Sequence, residues 1–159
     1  MKILFLLAMF FSLSASASES PFKMSVEALV TKSNKTGDIS YLGMAAIRCA
    51  ALYNTYLTLV ELNMDIKNDG AVSHSLYMLG VKIKAHKMQE HGAKESFIAS
   101  MPDKAMEDIQ KHSLVYWEWL KNNREATGDY AASSPEFIKE QEHCKIIYSF
   151  TQTNSDTND

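Results

Sequence analysis

Glu140 and His143 stand three residues apart, the spacing that carboxylate-bridged di-iron bundles use to direct both side chains at a metal. Such a site needs the same motif twice, together with two further glutamates, and the sequence has no second Glu-x-x-His. His143 also precedes Cys144, which we expect to face the core, so the helix turns His143 partly away from that core. We therefore interpret His143 as an exposed, ion-pairing histidine.

Two other pairs of metal-ligating residue types lie four residues apart on predicted helices: Asp108 with His112, and His86 with Glu90. This spacing places both members of a pair on one helix face, which supplies half of a metal site. Pairing at the helix surface is the simpler interpretation. We predict no metal site and no cofactor.

Motifs for nucleophilic or cofactor chemistry are absent from the sequence. It has no Gly-x-Ser-x-Gly elbow, no glycine-rich phosphate loop and no Cys-x-x-Cys-His for covalent haem. Haem held by methionine and histidine stays open, because the chain has 9 Met and 5 His, but core packing and exposed helix positions explain these residues better. The only arginines, Arg48 and Arg124, are too few to favour clamping of phosphates or dicarboxylates. We predict no catalytic residue.

The two cysteines, Cys49 and Cys144, fall on the apolar stripes of the first and last long predicted helices. In an up-down-up-down bundle the start of the first helix lies beside the end of the last, which brings the two residues to within a turn or two of each other. In an oxidising compartment such a pair is more often a disulfide than two free thiols. A redox-active pair is the alternative, but it lacks the Cys-x-x-Cys spacing. We predict a structural disulfide between Cys49 and Cys144.

An aromatic cluster, Tyr-Trp-Glu-Trp, occupies residues 116–119 of the third long predicted helix. The inner stripe of this helix is predicted as Met106, Ile109, Ser113, Trp117 and Leu120. Tyr116 and Trp119 lie at angles of about 100° from the stripe and are expected to be partly exposed. Exposed aromatic residues often anchor contacts with other proteins, so Tyr116 and Trp119 are candidate partner-contact residues. Core packing at the edge of the stripe is the alternative, and the more common arrangement.

The elements that position these residues are helices separated by short turns, because 3 prolines and 6 glycines fall where helix ends are expected. A short, weak helix is predicted from residue 25 to 32. Four long helices follow, at about 38–64, 73–91, 102–125 and 135–150, with a short helical turn within 93–100. Short connections between long helices favour antiparallel neighbours. The predicted fold is all-α, a four-helix up-down-up-down bundle in which one disulfide joins the first and last long helices.

The beginning of the chain is typical of a secretory signal peptide. Lys2 precedes nine apolar residues, and the small residues Ala15 and Ala17 then fit signal-peptidase cleavage before Ser18. A membrane span would need about 20 apolar residues, and no later segment is long and apolar enough to be one. The predicted organisation is a cleaved signal peptide at 1–17, an N-terminal linker at 18–37, the helical bundle at 38–150 and a disordered polar tail at 151–159. We expect the protein to be periplasmic or secreted.

Composition restricts the partners. The chain is 46% hydrophobic, which indicates a folded protein, and its formal net charge of -3 becomes about -4 when Lys2 is removed with the signal peptide. A mildly acidic protein is not expected to bind nucleic acid or an anionic membrane surface.

The sequence leaves several functions open. The first is non-catalytic binding of an envelope protein or of a small apolar ligand. A second is an enzyme or redox carrier of the bundle class, with a non-covalent cofactor or metal. A third is a self-associating structural subunit, suggested by the apolar residues that extend around the helix at 38–64. That helix is either central in the fold or buried against a partner, and a central position is the more common cause.

Overall fold

The computed structural model describes residues 19–60, 69–130 and 134–153. The predicted signal peptide at 1–17 and the last part of the predicted tail lie outside the described residues. The described parts of the chain contain six helices and no strand: α1 (Val26–Thr36), α2 (Ser40–Val60), α3 (Asp69–Glu90), α4 (Glu95–Ala99), α5 (Met101–Thr127) and α6 (Pro135–Thr153). The long helices α2, α3, α5 and α6 form the predicted all-helical bundle, and Cys49 and Cys144 form its disulfide.

Helix ends follow the local signals in the sequence. Ser25 begins α1 by accepting a hydrogen bond from the amide of Ala28, and Ser134 accepts one from the amide of Phe137 at the start of α6. Gly37 ends α1 with a φ of 70°, a left-handed conformation that glycine adopts without steric cost. The observed starts of α1 and α6 lie within one residue of the predicted starts at 25 and 135.

Three helix boundaries differ from the prediction. α3 already begins at Asp69, four residues before the predicted start at 73, and a Cβ atom placed on Gly70 would lie 3.8 Å from Cδ2 of Leu57 in α2. α6 continues to Thr153, where the sequence predicted the start of a disordered tail. α1 is longer than the predicted weak helix, and Val26 and Leu29 on its inner face are buried in the core. Burial of these apolar side chains explains why the predicted linker folds against the bundle.

α2 is the central helix. It packs against α1, α3, α5 and α6, and its buried residues form the middle of the hydrophobic core. Among them, Ile47, Leu52 and Leu59 are at most 1% exposed. The apolar breadth of this helix is therefore explained by its neighbours within the chain, as the preferred interpretation of the sequence expected.

α5 is rotated relative to its predicted orientation. Trp117 and Met106 were expected inside, but Met106 is 44% exposed and Trp117 is only partly buried. Tyr116 and Trp119, the candidate partner-contact residues, are instead 0% and 2% exposed. The expected exposure of these two side chains is wrong because Tyr116 forms hydrogen bonds with two other helices and Trp119 packs against the ring of Phe137 in α6, with 5.2 Å between ring centroids.

None of the described helices is long and apolar enough to cross a membrane.

α2 and α3 approach each other closely at Gly43 and Gly80. A Cβ atom on Gly80 would lie 2.5 Å from Cδ1 of Ile47, and one on Gly43 would lie 2.9 Å from Cγ2 of Ile83. Both distances are shorter than van der Waals contact. The two glycines thus set the separation of these helices, which fixes where the α3 side chains lie relative to α2.

We expect Gly80→Ala to destabilise the protein by about 2 kcal/mol, because overpacking costs about 1–3 kcal/mol and the gain in helix propensity is at most about 1 kcal/mol. Ile47 is buried and cannot move aside easily. Urea unfolding followed by circular dichroism measures the effect. Gly70→Ala in the same helix is the control, because its nearest contact would be an ordinary 3.8 Å. Equal stability of the two variants would contradict the close approach.

Candidate functional site

A buried ion pair joins α2 to α6. Arg48 and Glu140 are 4% and 3% exposed, and an Nη2 to Oε1 contact links them. Tyr116 of α5 lies between them: its hydroxyl donates to Oε1 of Glu140 at 2.7 Å and accepts from Nε of Arg48 at 3.1 Å. The three helices meet at this cluster, which we call the Arg48 cluster (Arg48, Tyr116 and Glu140).

The segment before α1 is attached to the same cluster. We call residues 19–25 the N-terminal strap. Nη1 of Arg48 donates to the carbonyl oxygen of Met24, and the amide of Val26 donates to Oε2 of Glu140 at 3.1 Å. The Phe22 ring covers the guanidinium, with 3.5 Å from its centroid to Cζ of Arg48, an attractive cation–π arrangement. Two buried charges therefore fix both the direction and the position of the strap.

The protonation of the Arg48 cluster is set by its burial. Burial raises the pKa of the Tyr116 hydroxyl well above its usual value, and the adjacent Glu140 carboxylate raises it further. Tyr116 therefore keeps its proton at neutral pH and acts as a hydrogen-bond donor to Glu140. It cannot serve as a base there, and its donor and acceptor capacities are both used within the cluster.

A cavity of about 370 Å³ lies against Arg48. Its apolar wall consists of Phe22, Met24, Leu29, Met44 and Ile47. These residues come from the N-terminal strap, α1 and α2, and most of the surface that they contribute to the cavity is carbon. The strap therefore has a second role in the fold, as one wall of the cavity.

Polar side chains from α3 and α5 also line the cavity. Nζ of Lys84 in α3 donates to Oδ2 of Asp108 in α5 at 2.6 Å, and His112 lies one turn after Asp108. Burial lowers the pKa of His112, the positive charge of Arg48 lowers it further, and Asp108 opposes these effects. The imidazole is accordingly neutral at neutral pH.

The disulfide lies one helical turn from the Arg48 cluster. Cys49 follows Arg48 directly, and Cys144 is four residues after Glu140. Both cysteines are fully buried, and their Cα atoms are 5.3 Å apart. The predicted disulfide thus holds α2 and α6 at the separation that allows Arg48 and Glu140 to pair.

The other candidate residues do not assemble into a metal site. His143 is partly exposed, as predicted, and its Nδ1 is 2.8 Å from the Lys139 carbonyl oxygen, whereas Glu140 faces the core. His86 and Glu90 form the predicted surface pair, with 3.2 Å between Nε2 and Oε1. Within residues 19–60, 69–130 and 134–153 there is no group of three or more ligands suited to a metal ion.

Sequence reasoning missed the Arg48 cluster, although one signal pointed to it. Arg48 is the only charged residue in α2, and it is flanked by Ile47 and Cys49 in an apolar stretch. A charge at such a position needs a buried partner. The identity of that partner could not be read from the pattern, because Glu140 is on a distant helix and resembles an ordinary surface glutamate.

No protein family, no curated protein and no solved structure matches this chain.

Proposed function

We propose that this protein binds a small, largely apolar ligand in the cavity beside Arg48 and catalyses no reaction. The cavity carries the proposal, because its volume of about 370 Å³ is within the range of about 300–1,000 Å³ typical of small-molecule sites. A mostly apolar wall with a few polar groups at one side is the usual composition of such a site. Burial of an apolar ligand there would provide about 25 cal/mol per Å² of apolar surface.

Other cavities of similar volume lie beside Leu114. The cavity beside Arg48 is favoured over them because it combines an apolar wall with an ammonium group, a carboxylate and an imidazole. Groups of this kind orient a ligand and distinguish it from others of the same size.

The proposed absence of catalysis is supported by the state of the buried groups. The charges of Arg48 and Glu140 are paired with each other, Arg48 also binds the N-terminal strap at Met24, and Glu140 binds the first amide of α1. Tyr116 is a protonated donor within the same cluster. These groups position the chain, and none of them is directed at the cavity as a nucleophile or base.

Ligand binding is preferred over association with an envelope protein or self-association. The residues that suggested a protein contact, Tyr116 and Trp119, are buried, and the apolar breadth of α2 is covered by the protein's own helices. The cavity beside Arg48 is instead a feature that the fold does not use for its own stability.

We also propose that the protein acts outside the cytoplasm, as a periplasmic or secreted protein. A buried disulfide between distant helices is typical of oxidising compartments, and the sequence before Ser18 has the pattern of a signal peptide. The protein for the binding experiment is therefore isolated after export by a bacterial host. Its mass should be that of a chain beginning at Ser18, and a mass that includes Met1 would contradict export with cleavage.

Titration with octan-1-ol, followed by amide chemical shifts in nuclear magnetic resonance spectra, tests binding. We expect saturable shifts centred on the residues of the apolar wall. Met44→Trp should weaken binding by about tenfold, because an indole that displaces two methylene groups of the ligand removes about 1.6 kcal/mol. Met44 is 49% exposed, so this substitution should leave the fold intact.

The matched control is Met106→Trp. Met106 is 44% exposed on a different surface of the bundle, and its substitution should leave octan-1-ol affinity unchanged. Equal weakening by both variants, or shifts spread evenly over the protein, would count against the cavity as the binding site.

A further inference from the structure

The charged groups around the cavity are unevenly distributed. Lys23, Arg48 and Lys84 are cationic, and Asp108 is the carboxylate among the lining residues. Arg48 is neutralised by Glu140, which does not line the cavity. The lining therefore retains a net positive charge from its two lysines and one aspartate.

Lys84 is the cation best placed to contact a ligand. Its side chain is 24% exposed and extends from α3 to the polar side of the cavity. The ammonium group has three N–H donors, and one of them meets Oδ2 of Asp108 at 2.6 Å. Lys23 is less suited to fix a head group, because it lies on the exposed side of the strap.

The charges around His112 also favour a negatively charged ligand at this site. After burial, the charges of Arg48, Lys84 and Lys111 all lower its pKa, and Asp108 alone among the named charges raises it. A neutral imidazole beside Lys84 offers a hydrogen bond without adding charge. The polar side of the cavity is thus arranged to receive a negative group rather than a positive one.

The cavity is lined by both apolar and polar side chains, and Phe22 of the apolar wall contacts the ring of His112, with 5.8 Å between centroids. The apolar wall comes from the strap, α1 and α2, whereas Lys84 and His112 come from α3 and α5. A ligand with an apolar tail and a polar head would fit this lining, with its tail against the apolar wall and its head at Lys84. The volume of about 370 Å³ lies near the lower end for ligand cavities, which favours a short tail.

We propose that the ligand is an amphipathic monoanion, a carboxylate on a short apolar tail, and that Lys84 binds its head group. The inference rests on the proposed binding function and adds the chemical class of the ligand and the residue that selects it.

Three probes with the same tail test the class: octanoate, octan-1-ol and octylammonium, each titrated into the exported protein below the concentration at which it forms micelles. Octanoate should bind about tenfold more tightly than octan-1-ol, the factor expected for one charge-assisted hydrogen bond at a partly exposed site. Octylammonium should bind most weakly. Binding of octan-1-ol equal to or tighter than that of octanoate would overturn the inference and leave the proposed function intact. Failure of all three probes to bind would overturn both.

Two variants test the role of Lys84. Lys84→Met should abolish the roughly tenfold preference for octanoate over octan-1-ol. Lys111→Met is the matched control, because it makes the same change of charge on a residue that pairs with Glu107 outside the cavity, and it should keep the preference. A preference that survives Lys84→Met would overturn the assignment of Lys84.

Asp108→Asn should strengthen octanoate binding, whereas Lys84→Met should weaken it. Removal of the carboxylate that competes for Lys84 should tighten octanoate binding by about tenfold, since one charge-assisted contact becomes available to the ligand. The ratio of octanoate affinity to octan-1-ol affinity should therefore rise. General damage to the cavity would weaken both probes, so tighter binding of octanoate alone is specific to the proposed head-group contact, and weaker binding of octanoate would contradict it.

Discussion

Replacement of both Cys49 and Cys144 by alanine is expected to lower the free energy of unfolding by about 4–5 kcal/mol. The disulfide joins residues 95 positions apart, and a loop of that length loses this amount of unfolded-state entropy when it is closed. Domains of this size have a total stability of about 5–15 kcal/mol, so the variant should be close to unfolding at physiological temperature. Urea unfolding of the exported protein measures the difference.

Reductant provides the control for this experiment. A reducing agent should destabilise the wild-type protein by nearly the same amount as the double substitution, and it should have no effect on the variant, which has no cysteine left. Alanine is used because serine would place two hydroxyl groups at fully buried positions. A wild-type protein that unfolds at the same urea concentration with and without reductant would show that the disulfide contributes nothing to stability.

The disulfide matters for the site as well as for stability. Because Cys49 and Cys144 each lie within about one helical turn of Arg48 and Glu140, the bond holds the backbones of α2 and α6 where the ion pair forms. The proposed export would supply the oxidising conditions in which this bond forms. An oxidising compartment therefore favours the geometry of the Arg48 cluster, because the disulfide that forms there holds the two helices that carry Arg48 and Glu140.

The fold could be predicted from the sequence because its signals are local. Gly37 and the Ser134-Pro135 pair determine helix ends within a few residues, and the apolar stripes that contain Cys49 and Cys144 determine the faces that pack together. At the start of α3 the helix runs through Gly70, although glycine locally favours a turn.

The rotation of α5 could not be predicted from its own sequence. Apolar and aromatic residues occupy neighbouring positions, so a stripe through Trp117 and one through Tyr116 are nearly equivalent locally. Two residues of other helices, Arg48 and Glu140, decide between them by forming hydrogen bonds with the Tyr116 hydroxyl. The Arg48 cluster itself could not be predicted because its members share no local pattern, and its cavity depends on a strap that the sequence presents only as a linker.

The second large effect is expected at the buried ion pair. Arg48→Met should destabilise the protein by about 3–5 kcal/mol, because it leaves the Glu140 carboxylate buried without its counter-charge. The carbonyl oxygen of Met24 also loses its donor, so the strap should detach in part. Two measurements follow the change: urea unfolding for the bundle, and the rate of trypsin cleavage after Lys23 for the strap.

Arg124→Met is the matched control, since Arg124 is the only other arginine and it lies on the surface against Tyr130. Its loss should change neither the stability nor the cleavage rate measurably.

The double variant Arg48→Met with Glu140→Leu should recover part of the stability lost by Arg48→Met alone, because two apolar side chains can replace a buried pair more easily than one partner can be removed. Cleavage after Lys23 should stay fast in the double variant, because the amide of Val26 and the carbonyl oxygen of Met24 both lack their partners there. Slow cleavage in that variant would mean that packing of Phe22, rather than the two charges, holds the strap against the cavity.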